Sequence, residues 1–466
     1  MKKRTFFILF SFSILSLFPY INEFPLRGEE ATRTVVAYEM AHSGNYFQPT
    51  ILGDNYYNKP PLFNWLIVLA SKFLGWDIFT PRAVTILFTL LNTLLVYHFT
   101  RKIFDRETAL LSASIFITFS DVLFWYGWLA EIDMTLSFFI TLLFIQIYEF
   151  YKKEKPVYLY TSSLLTGIAF MIKGFPAFAF YGLSLISVAL LKRKILILFS
   201  PHAVFSYILA LLFSLWWLPL SDNPLFYIKR LWEESFSRVE SSKNIEKFLE
   251  HIITYPLLNL KQTLPASLFL LGALFSRKIN LRDDVKFLVF LLFINYIPYF
   301  ISATSRGRYV LPLFPLLAVV FGYIIKEFTS ERWKRILIFT MSLFVFFRFL
   351  YGFFYLPYLD ERRGKPKEKA KEVYELVKDS KVACDCSDIK DFCLYVGFLK
   401  GEALLKSKYT KDWKYLIDCK KRDFPLIGSY RINHKNVYLY KRYGNVYAYA
   451  FGLSVCPAVV SEGLHK

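Results

Sequence analysis

Residues able to do acid/base and phosphate chemistry are spread thinly along this chain and recur in short connections between apolar stretches. Glu29, Glu30 and Asp133 are carboxylates suited to taking or placing a proton. Lys59, Arg82, Arg306 and Arg308 are cations suited to a phosphate oxyanion. Arg33, Tyr57, Glu131, Lys173, Glu234 and Arg238 complete a candidate set as acceptor-side and supporting groups. Each has a bland reading. Glu29 and Glu30 complement a helix dipole, Asp133 caps a helix, Lys173 snorkels, and Lys59-Pro60-Pro61 is a turn. What raises the functional reading is their combination: an acid with several cations, all on one side of the apolar segments.

That sidedness follows from the elements that must carry these residues. The chain has 466 residues, 55% hydrophobic and 20% aromatic, including 50 Phe and 32 Tyr, and its mean hydropathy is +0.35. Such a composition excludes an ordinary soluble domain and predicts a multi-span α-helical membrane protein. Spans are expected near 5–20, 83–99, 108–126, 133–150, 157–172, 175–191, 195–219, 262–276, 287–301, 309–326 and 335–354, about 11–13 helices in all. The first is read as a retained span, because no small-x-small cleavage site follows it. The alternate loops that fall on one side are basic throughout: the Met1-Lys2-Lys3-Arg4 start, Arg101-Lys102, Lys152 to Lys155, Lys192 to Lys194, Arg277 to Lys286, and Lys326 to Arg335. The positive-inside rule therefore places the N-terminus in the cytoplasm. The 21–81 loop, with its interfacial amphipathic helix, the 220–261 loop and the C-terminal tail then lie outside. The net charge of +20 flanks spans, so lipid head groups and topology explain it better than nucleic acid.

Two domains are expected: a transmembrane domain over 1–355, and a small α/β domain over 356–466 in the outer compartment. The second begins with a charged helix (Lys367 to Asp379) and continues into strand-like runs at Lys381 to Cys384 and Asn436 to Tyr440. A hairpin is expected between the latter and Asn445 to Ala450, hinged at Arg442-Tyr443-Gly444. Cys384, Cys386, Cys393 and Cys419 favour disulfides over zinc, with Cys456 making the count odd. The six His show no metal-site spacing, and no phosphate-cradling glycine loop is present.

The segments Glu29-Glu30-Ala31-Thr32-Arg33, Gly44-Asn45-Tyr46, Tyr56-Tyr57-Asn58-Lys59-Pro60 and Pro81-Arg82 together resemble the first outer loop of one enzyme family. These are the polyprenyl-phosphate-sugar-dependent glycosyltransferases of C-type (GT-C) fold, in particular the lipid A aminoarabinose transferases and, more distantly, the protein O-mannosyltransferases. The resemblance continues through Ile132-Asp133, Met171 to Gly174, Trp232 to Arg238 and Arg306-Gly307-Arg308-Tyr309, covering roughly residues 25–320. It implies that the first-loop carboxylate is catalytic, at the position of Glu29, although the family's Asp-Glu is Glu-Glu here. It also implies that Lys59 contacts the lipid phosphate and that Asp133 is a second acid. The family's His before the arginine motif is Ser235 here, so no role transfers to it.

The expectation is an inverting glycosyltransferase in a bacterial inner membrane with its site on the periplasmic side. It would move a sugar from a polyprenyl phosphate to lipid A or another glycolipid. Protein O-glycosylation and flipping of the lipid-linked sugar are the alternatives. The expected partners are the donor, the acceptor and membrane lipids, with no nucleic acid. No metal site is assigned and no cofactor is named, with a divalent cation left open.

Overall fold

In lipid, a backbone must satisfy its own polar groups, and apolar runs broken by Pro, Gly and short charged turns do so as helices. The computed structural model describes residues 3–240, 245–276 and 280–442, without the side chains of 236–240 and 274–276. In chain order the helices are α1 (Lys3–Leu15), α2 (Gly28–Ser43), α3 (Leu62–Leu74), α4 (Phe79–Ile103), α5 (Arg106–Thr118), α6 (Asp133–Lys153), α7 (Val157–Lys173), α8 (Pro176–Lys192) and α9 (Pro201–Leu215). They continue with α10 (Pro224–Glu240), α11 (Ile245–Gln262), α12 (Ala266–Ser276), α13 (Asp283–Ile301), α14 (Phe314–Phe328), α15 (Glu331–Leu350), α16 (Leu356–Arg362), α17 (Pro366–Val377) and α18 (Lys390–Lys400).

All eleven expected spans are helical over most of their length. Among the described residues, six helical stretches are long and apolar enough to cross a membrane unaided: 79–103, 133–153, 201–220, 283–301, 307–328 and 331–362. Others are interrupted. The 108–126 stretch leaves the helix at Phe119, whose backbone is extended, before a π-turn over Val122–Tyr126. The chain is a multi-pass membrane protein with α6 packed at its centre against α4, α7 and the 3₁₀ turn Gly307–Leu313.

Antiparallel succession sorts the charges by end. The start of α6 and the end of α7 lie together, which brings Asp133 to Lys173. At the opposite ends, basic residues pair with acids: Lys102 and Lys153 with Glu149, Lys152 with Asp284, and Lys326 with Asp105.

A second core belongs to the C-terminal sheet unit. Two short strands, β1 (Thr50–Ile51) and β2 (Asp54–Asn55), form a hairpin in the first loop. The main sheet contains β3 (Val382–Cys384), β4 (Tyr415–Asp418), β5 (Leu426–Ile432) and β6 (Lys435–Lys441) in the order β3-β4-β6-β5, with only β3–β4 parallel. β6 is hydrogen-bonded on both sides, by β4 and β5, and forms a hairpin with β5; the hairpin expected between β6 and 445–450 falls on residues outside those described. Cys456 also lies outside the described residues. Disulfides join Cys384 to Cys393 and Cys386 to Cys419.

This unit grips α2. Ala31, Val35 and Tyr38 share one core with Val373, Val396 and Leu404. The Tyr38 hydroxyl donates to the Gly397 carbonyl at 3.0 Å, and Leu26 N–H donates to the Tyr395 hydroxyl at 2.7 Å. The helix expected to lie in the interface is also covered by protein: Glu30 to Met40 are buried without interruption, because α3 and α4 cover one face and the C-terminal unit the other.

Candidate active site

Two neighbouring carboxylates open α2, and the helix turns them about 100° apart, into different environments. Glu30 points inward and is fully buried. Its carboxylate accepts from Arg27 N–H at 3.0 Å, closing the N-terminus of α2, and from Ala130 N–H at 2.8 Å. Arg82 adds Nε at 2.9 Å and Nη2 at 3.1 Å. The remaining Arg82 donors reach the carbonyls of Ile21, Phe24 and Pro25, so all five guanidinium N–H groups are engaged. The pair locks the first loop to α4. This corrects two sequence assignments: Glu30 as a catalytic group and Arg82 as a phosphate contact, since neither has a free oxygen or donor to offer.

Glu29 faces a cavity. Its Oε2 accepts from Arg33 Nη2 at 2.7 Å, while Arg33 Nη1 donates to the Tyr56 hydroxyl at 3.1 Å. Tyr56, not the expected Tyr57, is therefore the tyrosine at the site. Tyr57 packs edge-on against Phe226 and Tyr227. Burial works to raise the Glu29 carboxyl, but Arg33, Arg308 and Lys59 outweigh it and hold it below its ordinary value.

A cavity of about 40 Å³ collects most of the remaining candidates: Glu29, Arg33, Lys59, Glu131, Asp133, Lys173, Glu234 and Arg308 all line it, with Tyr309. Three ion pairs cross it. Arg308 Nη1 meets Glu131 at 2.9 Å, Lys173 Nζ meets Asp133 at 2.7 Å, and Lys59 Nζ meets Glu234 at 3.3 Å. Burial lowers Lys59 to about 8, against the opposing pull of Glu234. Burial and neighbouring Asp133 push Glu131 up to about 7, against Arg308. The Asn58–Lys59 turn is held from α10, where the Tyr227 hydroxyl donates to the Lys59 carbonyl at 2.7 Å and Arg230 Nε to Asn58 Oδ1 at 3.2 Å.

Two larger spaces meet at this throat. On one side lies an apolar groove of about 240 Å³ between α8, α10 and α13, headed by Lys59, Lys173 and Glu234 and lined deeper by Phe180, Leu183 and Pro298. On the other is a wide polar cleft of about 910 Å³, bordered by Glu29, Glu131 and Arg308 and closed opposite by the C-terminal unit.

Arg306, expected at the phosphate, is exposed and lines none of these spaces; of that pair it is Arg308 that faces the throat. The Gly307 between them serves close packing rather than flexibility, since a Cβ there would stand 2.6 Å from the Gln262 side chain. The Arg238 side chain lies outside those described. Among the described residues no three His, Cys, Asp or Glu side chains converge as a metal-ligand group. Sequence reasoning missed Tyr309, whose ring lies 5.2 Å from Lys173 Nζ, and the cleft residues Asp391, Asn433 and His434 from the C-terminal unit.

Known proteins resemble this chain in sequence and in fold. Residues 58–217 match the family model described as dolichyl-phosphate-mannose-protein mannosyltransferase. The chain is 29% identical over 223 residues to an undecaprenyl phosphate-alpha-4-amino-4-deoxy-L-arabinose arabinosyl transferase of Pectobacterium carotovorum, covering 46% of this chain and 39% of that protein. It is 26% identical over 337 residues to the enzyme of the same name from Pectobacterium atrosepticum, covering 68% and 58% respectively. The chain thus spans less than two thirds of the curated relatives it matches. The crystal structure of ArnT from Cupriavidus metallidurans bound to undecaprenyl phosphate superposes with a TM-score of 0.72 at 15% identity, over 93% of this chain and 97% of that one. That likeness establishes the fold. The C-type architecture expected from the sequence is the one observed.

Proposed function

We propose that this chain, which has the GT-C fold, is a glycosyltransferase that moves a sugar from a polyprenyl phosphate to a lipid A or related glycolipid acceptor. The observation that carries the reading is the throat. It joins an apolar groove headed by lysines to a polar cleft headed by a carboxylate, as direct transfer between two lipid-borne substrates demands. The donor's prenyl chain lies in the groove, with its phosphate against Lys59 and Lys173. Its C1 then faces the throat, and the acceptor approaches from the cleft side past Glu29 and Arg308.

Transfer forms the C1–O(acceptor) bond on one face of the sugar while the C1–O(phosphate) bond breaks on the other, inverting the anomeric centre. The bonding electron pair leaves with the polyprenyl phosphate, whose growing charge Lys59 and Lys173 offset. For a hydroxyl acceptor, Glu29 takes the proton. For a phosphate acceptor there is no proton to take, and Glu29 orients the nucleophile through Arg33 and Arg308. Asp133 holds the Lys173 ammonium toward the phosphate. Both substrates reach the throat from the end of the bundle opposite the basic loops, which the positive-inside rule assigns to the periplasmic face of the inner membrane.

The test is transfer by the full chain in nanodiscs, with radiolabelled sugar on undecaprenyl phosphate and with lipid A and a Ser/Thr peptide competing as acceptors. Label is expected on lipid A, with Glu29→Gln lowering the rate about 10²–10⁴-fold. Label on the peptide instead would establish the protein-directed reading that the matched family's name favours. Label crossing sealed vesicles without transfer to either acceptor would make the protein a transporter.

A further inference from the structure

The reaction as described leaves one side of the wide cleft without a task. That side is built by the C-terminal unit: Arg363 just after α16, Asp391 in the first turn of α18, and the Asn433–His434 turn between β5 and β6 all line it. Asp391 is 5% exposed, yet its Oδ2 has no hydrogen-bond partner among the described residues. A helix N-terminus accounts for an acid in this position. It does not account for a buried carboxylate oxygen left unpaired, an arrangement that costs free energy unless something arrives to donate to it.

The surroundings are held in place as a binding surface must be. The Cys384–Cys393 disulfide closes the segment that carries Asp391. Asn433 N–H donates to the Arg363 carbonyl at 3.0 Å, tying the β5–β6 turn to Arg363, whose guanidinium sits 5.2 Å over the Phe24 ring. Asn433 and His434 have φ of 49° and 65°. A two-residue hairpin turn requires this, and His adopts it only where the fold imposes it.

Charge identifies the ligand class. Five carboxylates and five Lys or Arg side chains line the cleft, so it is no basic sink for a polyanion. It alternates donors and acceptors, as a surface for hydroxyl groups does. An ammonium group at Asp391 would also meet the nearby cations Arg363 and Lys390, whereas a hydroxyl meets no such repulsion.

We propose that Asp391, with Arg363 and the Asn433–His434 turn, forms a wall that binds the sugar headgroup of the acceptor, Asp391 Oδ2 accepting from a sugar hydroxyl. The assignment of the cleft to the acceptor rests on the transferase reading, but binding tests the wall without turnover. Full-length protein would be titrated with lipid A, with its de-acylated glucosamine disaccharide and with phosphatidylglycerol. Undecaprenyl phosphate serves as the control for fold and donor groove. Asp391→Asn should weaken both sugar ligands about tenfold or more and leave undecaprenyl phosphate binding unchanged. Undiminished sugar binding by Asp391→Asn, or phosphatidylglycerol binding as tightly as lipid A, would overturn the proposal. Should the variant lose undecaprenyl phosphate binding through misfolding, hydrogen exchange on the wild type decides. The disaccharide must slow exchange over residues 388–392, and no slowing counts against the wall. Sugar binding that depends on Asp391, without any label transfer in the nanodisc assay, would sink the transferase reading alone.

Discussion

Glu30→Gln and Glu29→Gln, one residue apart, should fail in opposite ways. Gln matches Glu in shape, so the Glu30 change removes charge and acceptor capacity with little change in volume. The native carboxylate accepts four hydrogen bonds, two of them from Arg82, and both side chains are fully buried. The amide half of Gln would turn a donor toward Arg82 or a backbone N–H, and the Arg82 cation would be left without its counter-charge. Breaking one partner of a buried ion pair costs about 3–5 kcal/mol, which for a chain of this length lowers Tm by about 3–5 °C. Glu29 is half-exposed, and its buried partner Arg33 keeps the Tyr56 hydroxyl as an acceptor, so Glu29→Gln should cost less than Glu30→Gln and lower Tm by only about a degree or two. Its defect lies in rate, about 10²–10⁴-fold. Intrinsic fluorescence melting in detergent and single-turnover transfer in nanodiscs separate the two. A Glu30→Gln protein as stable as wild type but inactive, beside an active Glu29→Gln protein, would reverse the assignment and refute the reasoning.

Other consequences follow from the same site. Burial sets Lys59 near 8, so undecaprenyl phosphate affinity should fall as pH rises through that value, and Lys59→Arg, which stays protonated, should flatten the profile measured by ligand titration. Glu131 is raised to about 7 from a model-peptide value of 4.5. Between those values the folded state binds more protons than the unfolded one, so stability falls as pH rises from about 4.5 to 7 and levels off above. Glu131→Gln should remove that slope from a Tm-versus-pH series. Replacing Cys386 and Cys419 by Ser releases a 33-residue separation and should cost the C-terminal unit about 3–4 kcal/mol. Limited proteolysis would show it as cleavage between residues 385 and 420 under conditions that leave the wild type intact.

Much of this was legible from residue order. Apolar length located eleven stretches that are all helical over most of their length, and six of them fall in helices long and apolar enough to cross a membrane. Antiparallel succession then required Asp133 and Lys173 to share an end. What the sequence does not carry is direction around a helix axis in a wholly buried element. Glu29 and Glu30 are chemically alike, and only packing on both faces of α2 shows that one meets Arg82 and the other a cavity. The choice between Arg306 and Arg308, or Tyr56 and Tyr57, has the same origin. Asp391 was invisible for another reason, since it joins the cleft only when the sheet unit closes over the first loop, more than 350 residues away in sequence.

The contact between α2 and the C-terminal unit also sets an order of events in the life of the molecule. The helix bearing Glu29 is made well before the residues that fix it, since Tyr38 and Leu26 wait for Gly397 and Tyr395, about 360 residues later. A nascent chain can therefore insert its helices while the carboxylate end of the throat is still unset. The contacts that hold this end of the throat are complete only after the C-terminal unit has folded.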